Sequence, residues 1–230
     1  MMPGDIDGYV DVDVPEMPTI QRKPAVSIIL VRHGETPLNA ARVMQPPSTG
    51  LSPKGLAQAN RVAARLQSMN PHALISSDMP RAWQTAEQIA TLTGLKPQSL
   101  SLLRERNFGD LRGLPYDSLG FDPLTMEEAP ANGESRQEFE QRVVQAFEEV
   151  LRLRANLLGD IVVVTHGLWI KAMLSYLCSR FGGFEVPHRI GNTAVTVLSQ
   201  DPPHLTMLVN CTRHLEGSEW SEADASLSGG

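Results

Sequence analysis

The sequence has few of the features that mark secreted, membrane or nucleic-acid-binding proteins. It contains only two cysteines, Cys178 and Cys211, too few for a disulfide framework. Its longest apolar runs, residues 26–31 and 161–164, have the length of strands, whereas a membrane span needs roughly 18 residues. The first 21 residues carry five acids and no base, unlike the basic start of a secretory signal. We therefore expect a cytoplasmic protein that contacts no membrane.

Basic residues are also sparse, and the charge is unevenly distributed. Across the 230 residues, 20 Lys and Arg against 26 Asp and Glu give a net charge of −6. Residues 1–21 and 217–230 together hold eight acids and no base, which leaves +2 for residues 22–216. A nucleic-acid-binding protein usually shows a dense stripe of basic side chains, so we expect no nucleic-acid partner. A mildly basic body is compatible with a small anionic substrate.

Proline and acidic residues predict that residues 1–24 form a flexible N-terminal arm, and Ser, Glu and Gly predict a disordered tail over 217–230. Between them, residues 25–216 alternate short apolar runs with helical periodicity. This alternation predicts an α/β fold: a three-layer αβα sandwich, with a Rossmann-like, mostly parallel sheet and helices on both faces. The predicted strands are 26–31, 73–76, 99–102, 160–165, 193–198 and 205–209. Helices are predicted from Pro53, from Asp78 to Gly94, after Gly133, and over 168–181.

Polar residues follow several of these strands, and in an open α/β sheet ligands bind beyond the carboxyl ends of the strands. Arg32 and His33 follow the first strand, and His166 follows the strand at 160–165. Each histidine precedes a glycine, which we expect to let the backbone approach a ligand. Arg81 lies in the first turn of a helix, where free amides and the helix dipole favour an anion. These residues predict a phosphate pocket.

Glu105, after the strand predicted at 99–102, is a candidate acid or base for this pocket. The alternatives are that Glu105 is a solvated loop acid, or that the nearby Asp110 takes the role. A metal site at His33 and Glu35 is disfavoured, because a third ligand at a suitable spacing is missing and the neighbouring arginine repels a cation. The remaining arginines of the segment are interpreted as rim or surface charge; they are Arg104, Arg106 and Arg112.

Taken together, these motifs resemble the histidine phosphatase superfamily, also called phosphoglycerate-mutase-like, and favour its phosphatase branch. The matching segments run in the family's order from residue 26 to about residue 198. They are Arg32-His33-Gly34-Glu35-Thr36 with Asn39, Ser76-Ser77-Asp78 with Arg81, the segment around Glu105, Gly133-Glu134-Ser135, and Thr165-His166-Gly167.

The resemblance implies a role for each matching residue. His33 would be the nucleophile that attacks a phosphomonoester and becomes a phosphohistidine. Glu105 would protonate the leaving oxygen and then activate water. The oxygens of the transferred phosphoryl group would be held by Arg32, Asn39, Arg81 and His166. Because arginines and imidazoles supply the positive field, no metal and no other cofactor is expected.

The predicted function is that of a metal-independent phosphatase for small phosphomonoesters, sugar phosphates among them. A phosphoglycerate mutase with the same phosphohistidine is the alternative, and a non-catalytic phosphate-binding scaffold ranks third because every catalytic residue is present. Residues 106–132 hold two bases and five acids, which predicts weak retention of a bisphosphorylated intermediate. Phe108 also stands where the resemblance implies a tyrosine in mutases. The partner is a small phosphorylated metabolite, and the oligomeric state is left open, a homodimer included.

Overall fold

A six-stranded sheet forms the centre of the computed structural model, which describes residues 27–199, 202, 204 and 206–217. The strand order is β3-β2-β4-β1-β5-β6. Strands β1 to β4 are mutually parallel, and β5 and β6 extend the sheet in antiparallel pairing. The strands are β1 (Ile28–Arg32), β2 (Ala73–Ser76), β3 (Gln98–Ser99), β4 (Ile161–Thr165), β5 (Val195–Leu198) and β6 (Thr206–Cys211).

Helices cover both faces of this sheet. They are α1 (Pro37–Ala40), α2 (Pro53–Met69), α3 (Pro80–Thr93), α4 (Arg136–Arg154) and α5 (Gly167–Phe181). Successive side chains of a strand point to opposite faces, so β1 contributes to two separate cores. Ile28 and Leu30 pack in the cluster built with α4 and α5, whereas Ile29 and Val31 pack in the cluster built with α2 and α3. The predicted three-layer αβα sandwich is confirmed.

Local sequence signals account for where the long helices begin and end. The Ser52 side chain accepts a hydrogen bond from the Gly55 amide, and Pro53 follows at the first helical position. Ser135 and Glu138 form a reciprocal capping box at the start of α4. Helix α3 ends at Gly94, whose φ of +73° lies in the left-handed region that glycine tolerates.

One local prediction is wrong, and one short helix was not predicted. The strand predicted at 99–102 pairs only at Gln98–Ser99, after which residues 101–103 form a 3₁₀ turn that buries Leu103. The short helix α1 was not predicted, because it has no apolar periodicity. A capping box between Thr36 and Asn39 stabilises it.

The predicted N-terminal arm, residues 1–24, lies outside the described residues, as does the predicted tail beyond Gly217. Along the part of the chain that is described, no helix combines the length and the apolar character needed to cross a bilayer.

Candidate active site

Two histidines meet where the central parallel strands end. Arg32 of β1 is in register with Thr165 of β4, so the next residues, His33 and His166, leave the sheet at the same level. Both imidazoles are fully buried, and their ring centroids lie 5.2 Å apart in an edge-on arrangement. Parallel register therefore places two histidines that are 133 positions apart in sequence side by side at one edge.

The hydrogen bonds of His33 define which of its nitrogens can react. Its Nδ1 lies 2.7 Å from the carbonyl oxygen of Gly34, and a carbonyl can only accept, so Nδ1 carries the proton. The Nε2 atom is then unprotonated, and it is buried with no hydrogen-bond partner among the described residues. Burial, together with Arg81 and Arg32, lowers the pKa of His33 well below its usual value. His33 is thus a neutral imidazole with a free lone pair at neutral pH.

His166 is held at the start of α5 by a hydrogen bond of 2.9 Å between its Nε2 and the Ser77 hydroxyl. Its Nδ1 is buried without a partner in the described part of the chain. The pKa of His166 is also lowered well below its usual value, first by burial and then by Arg81. Ser77 belongs to the Ser76-Ser77-Asp78 motif, but its contact with His166 was not predicted.

Two arginines surround the histidines with positive charge. Arg32 is fully buried, and its Nη1 donates to the Ile190 carbonyl at 2.6 Å. Arg81, 1% exposed in the first turn of α3, makes one long contact of 3.5 Å from its Nη1 to the Pro46 carbonyl. Burial lowers the pKa of each guanidinium to about 10, while Glu105 opposes the shift. Both arginines therefore remain cationic at neutral pH.

Glu105 reaches the same edge because the 3₁₀ turn after β3 redirects the chain toward α5. Its Oε1 accepts from the Arg106 amide and its Oε2 from the Leu168 amide, each at 3.1 Å. Burial raises the pKa of Glu105, against the opposing effect of these two amides and of the two arginines. A carboxyl group with a raised pKa is suited to acid and base roles near neutral pH. The solvated alternative is excluded, because Glu105 is only 3% exposed.

Asn39 lies on α1, next to this edge, and is 3% exposed. Its side-chain oxygen accepts a hydrogen bond of 3.3 Å from the Thr36 amide, which completes the capping box. This bond fixes the amide group and leaves its nitrogen, a donor, as the part that could reach a phosphoryl oxygen. Asp110, the alternative acid, is instead bonded to the Asn132 side chain on the exposed surface.

The buried charges of this edge do not cancel. Arg32 and Arg81 contribute two positive charges and both histidines are neutral, while Glu105 contributes one negative charge when ionised and none when protonated, so the net charge is positive in either form. An excess positive charge in a site withdrawn from water is costly unless an anion compensates it. The edge therefore combines an uncompensated positive charge with a buried, unprotonated imidazole nitrogen.

A cavity of about 350 Å³ lies beside this edge, between α4, α5 and the residues around 116–125. Tyr116 and Leu168 line it, and Leu168 is the residue whose amide holds Glu105. Burial and the charge of Glu105 raise the pKa of the Tyr116 phenol, so the phenol keeps its proton. Sequence reasoning missed Tyr116 because it belongs to no motif. The cavity therefore lies next to the candidate acid, through Leu168.

The charge of this cavity differs from the charge of the segment that partly encloses it. Five basic and two acidic side chains line it, and four of the bases come from outside residues 106–132; the bases are Arg42, Arg106, Arg136, Lys171 and Arg189. Of the segment's five acids only Asp122 lines the cavity. The net charge of −3 counted along the sequence therefore does not describe the surface that a substrate would meet.

One further interpretation from the sequence is wrong. Arg106 is not a rim charge: it is 3% exposed and donates to the carbonyls of Met126, Glu128 and Glu134. Gly34 packs closely against Gly55, because a Cβ there would lie 2.4 Å from the Gly55 carbonyl oxygen, and the approach of a ligand to this glycine stays a prediction. Arg104 does lie at the surface, where it pairs with Asp78.

The described residues contain no group of three or more His, Cys, Asp or Glu side chains placed to hold a metal ion. In particular, Glu35 turns away from His33 and bonds to Ser52 and Lys54.

Known proteins with related sequences and structures include both mutases and phosphatases. The probable phosphoglycerate mutase GpmB of Yersinia pestis is 36% identical over 191 residues, covering 78% of this chain and 88% of that protein. A mycobacterial glucosyl-3-phosphoglycerate phosphatase, solved with VO3, is 29% identical with a TM-score of 0.66, covering 76% of this chain and 91% of that one. A mutant phosphoserine phosphatase from Entamoeba histolytica, solved with phosphoserine, is 26% identical with a TM-score of 0.69, covering 83% and 99%.

The sequence profile of the family described as "Histidine phosphatase superfamily (branch 1)" matches residues 28–211, which include every predicted site residue. The chain therefore belongs to the histidine phosphatase superfamily.

Proposed function

We propose that this protein is a metal-independent phosphatase that hydrolyses small phosphomonoesters through a phosphohistidine on His33. The observation that carries the proposal is the bare, unprotonated Nε2 of His33 in a buried site with an excess positive charge. An imidazole nucleophile needs its lone pair, and a phosphoryl group needs cations around its oxygens.

The reaction proceeds in two steps. His33 Nε2 forms a bond to phosphorus as the bond to the alcohol oxygen breaks, while Glu105 gives its proton to that oxygen. Glu105, now ionised, takes a proton from water, whose oxygen attacks phosphorus and breaks the bond to Nε2. Inorganic phosphate leaves, His33 is again neutral and Glu105 is again protonated. Arg32, Arg81, Asn39 and His166 hold the phosphoryl oxygens during both steps.

A phosphatase is favoured over a mutase by two observations. Solved structures that resemble this chain include a glucosyl-3-phosphoglycerate phosphatase and a phosphoserine phosphatase. Phe108, where the resemblance implies a tyrosine in mutases, is 3% exposed against the Arg106 guanidinium, so it offers no hydroxyl to a substrate.

The second candidate is a phosphoglycerate mutase. The relative at 36% identity bears that name, and the basic residues around the cavity are compatible with a bisphosphorylated intermediate. Both candidates share the phosphohistidine, so they differ only in whether water or a substrate oxygen removes the phosphoryl group.

The substrate we propose is a small phosphorylated metabolite, sugar phosphates included, whose alcohol part occupies the cavity of about 350 Å³. We also expect the enzyme to work in the cytoplasm, as the scarcity of cysteine suggests.

Release of phosphate from p-nitrophenyl phosphate, with and without EDTA, tests the proposal. We expect EDTA-resistant turnover, and its loss in His33→Ala. Incubation with 3-phosphoglycerate and catalytic 2,3-bisphosphoglycerate separates the two candidates. Phosphate release without isomerisation supports the phosphatase, whereas isomerisation faster than phosphate release supports the mutase. A panel of phosphorylated metabolites compared by kcat/KM would then identify the substrate.

A further inference from the structure

The loop of residues 190–194, which precedes β5, forms hydrogen bonds with Arg32, the last residue of β1, and with His33, which follows it. The Ala194 carbonyl accepts from the Arg32 amide at 3.2 Å, and the Ile190 carbonyl accepts from the Arg32 guanidinium. The carbonyl oxygen of His33 accepts two hydrogen bonds, from the Thr193 amide at 3.3 Å and from the Asn192 side chain at 3.1 Å. Residues 190–194 therefore hold the carbonyl side of His33, while its amide donates to the Thr165 carbonyl of β4 at 3.0 Å.

Thr193 adopts a backbone conformation that is unusual for its residue type. Its φ is +54°, in the left-handed region, where the branched Cβ of threonine crowds the backbone. Such a conformation is costly and persists only where surrounding interactions hold it. At Thr193 it turns the amide toward the His33 carbonyl, which a β-branched residue would not do by preference.

The Thr193 side chain supplies interactions that hold this conformation. Its Oγ1 donates to the Asn192 carbonyl at 2.7 Å, since a carbonyl can only accept. The hydroxyl has no second proton, so it accepts from Nε2–H of His214 at 2.9 Å. The other ring nitrogen, Nδ1, accepts from Arg65 Nη1 at 3.3 Å, because a guanidinium has no acceptor. Each of these three hydrogen bonds thus joins one donor to one acceptor.

His214 can keep this arrangement over the physiological pH range. Burial, followed by Arg65 and Arg61, lowers its pKa to about 4. The ring is therefore neutral near pH 7, with one nitrogen to donate and one to accept. Arg65 also donates to the Cys211 carbonyl at 3.3 Å, which anchors the chain of hydrogen bonds to β6.

We infer that Thr193 and His214 are positioning residues for His33: their hydrogen bonds hold the loop at 190–194 in the conformation that orients the nucleophile. The inference rests on the proposed phosphohistidine mechanism. In-line attack is sensitive to small displacements of the reacting atom, and a misplacement of about 1 Å can cost on the order of 100-fold in rate. Neither side chain needs to touch the substrate to exert this effect.

The test uses paired substitutions in the full chain. Thr193→Val keeps the branched shape and removes the hydroxyl, whereas Thr193→Ser keeps the hydroxyl. His214→Leu removes the donor, whereas His214→Gln keeps an amide that can donate. We expect Thr193→Val and His214→Leu each to slow single-turnover phosphorylation of His33 by about 10- to 100-fold, with KM changed little. The conservative partners should restore most of the rate, and the losses of the two disruptive variants should be less than additive in log rate.

His204→Leu is the matched control. His204 is also a buried histidine with a positive φ and a hydrogen bond to a carbonyl, of Ser199, but no contact within the described residues links it to His33. The His204→Leu substitution should lower the melting temperature and leave the phosphorylation rate of the folded protein unchanged. The inference is overturned if Thr193→Val behaves like this control, or if Thr193→Ser is as slow as Thr193→Val.

A second measurement does not depend on turnover. In ¹H–¹⁵N spectra, the Nδ1 proton of His33 should give a hydrogen-bonded signal in the wild type that shifts or disappears in Thr193→Val and not in His204→Leu. If the wild type forms no phosphohistidine with any phosphomonoester, the proposed function fails, and these spectra still decide the positioning role. An unchanged His33 signal in Thr193→Val would then overturn it.

Discussion

Glu105→Gln tests the acid directly, because it removes the transferable proton while nearly preserving shape. Glutamine has one oxygen, so it can accept from only one of the two amides that now bond the carboxyl group, those of Arg106 and Leu168. Its NH₂ group would face the other amide, donor against donor. An unsatisfied buried donor costs about 1–3 kcal/mol, so a measurable loss of stability should accompany the catalytic effect.

The catalytic loss should depend on the leaving group. An alkyl alcohol leaves poorly without a proton, and general acid catalysis contributes about 10²- to 10⁴-fold. We expect a loss of that size in the single-turnover phosphorylation of His33 by an alkyl phosphate. Nitrophenolate leaves readily as an anion, so p-nitrophenyl phosphate should lose far less.

Rapid mixing with each substrate, followed by quantification of phosphohistidine, gives the two rates. Glu35→Gln is the matched control, because Glu35 is also buried at this sheet edge but is bonded to Ser52 and Lys54. It should leave the ratio of the two rates unchanged. If Glu105→Gln slows both substrates equally, Glu105 acts in binding and the acid assignment is wrong.

Four further expectations follow from the structure. Arg81→Ala should lower kcat/KM by about 10²- to 10³-fold. Because Arg81 lowers the pKa of His33, the substitution should also move the acid limb of the pH–rate profile to higher pH, and an unmoved limb would contradict this electrostatic role. His214 has a pKa of about 4 against an ordinary 6.5, so its neutral ring contributes at most about 3 kcal/mol to stability, fully above pH 6.5 and no longer once the pH has fallen through 4. The free energies of unfolding of wild type and His214→Gln, measured in urea, should therefore converge toward acid pH. Gly34→Ala places a Cβ against the Gly55 carbonyl and should cost about 1–3 kcal/mol in urea unfolding, whereas unchanged stability would show that the two backbones can separate freely. Deleting residues 1–21 and 217–230 should leave kcat within about twofold by assay, since those segments hold few apolar residues; lost activity with a lower melting temperature would show that they pack on the domain.

The sequence alone was sufficient to predict the layered architecture and the polar residues that follow the ends of the parallel strands. Continuous β-branched runs at β1 and β4 indicated buried strands, and Ser52-Pro53 indicated a helix start, because these signals depend on local chemistry. Residues that follow parallel strands lie at one edge of any such sheet, so the proximity of His33 and His166 could be predicted from the sequence.

Tertiary structure alone decided the properties that depend on packing. The bare Nε2 of His33 follows from a bond to the Gly34 carbonyl, and the raised pKa of Glu105 follows from burial, neither of which is encoded in a local pattern. The cavity is basic because its side chains come from several distant segments, so a charge count along residues 106–132 could not describe it. The strained conformation of Thr193 is likewise held by tertiary contacts, among them the bond from its amide to the His33 carbonyl, 160 positions away in sequence, and the bond between its hydroxyl and His214. Local propensity determines the elements and their order, whereas protonation, charge balance and orientation arise only when distant residues come together and exclude water.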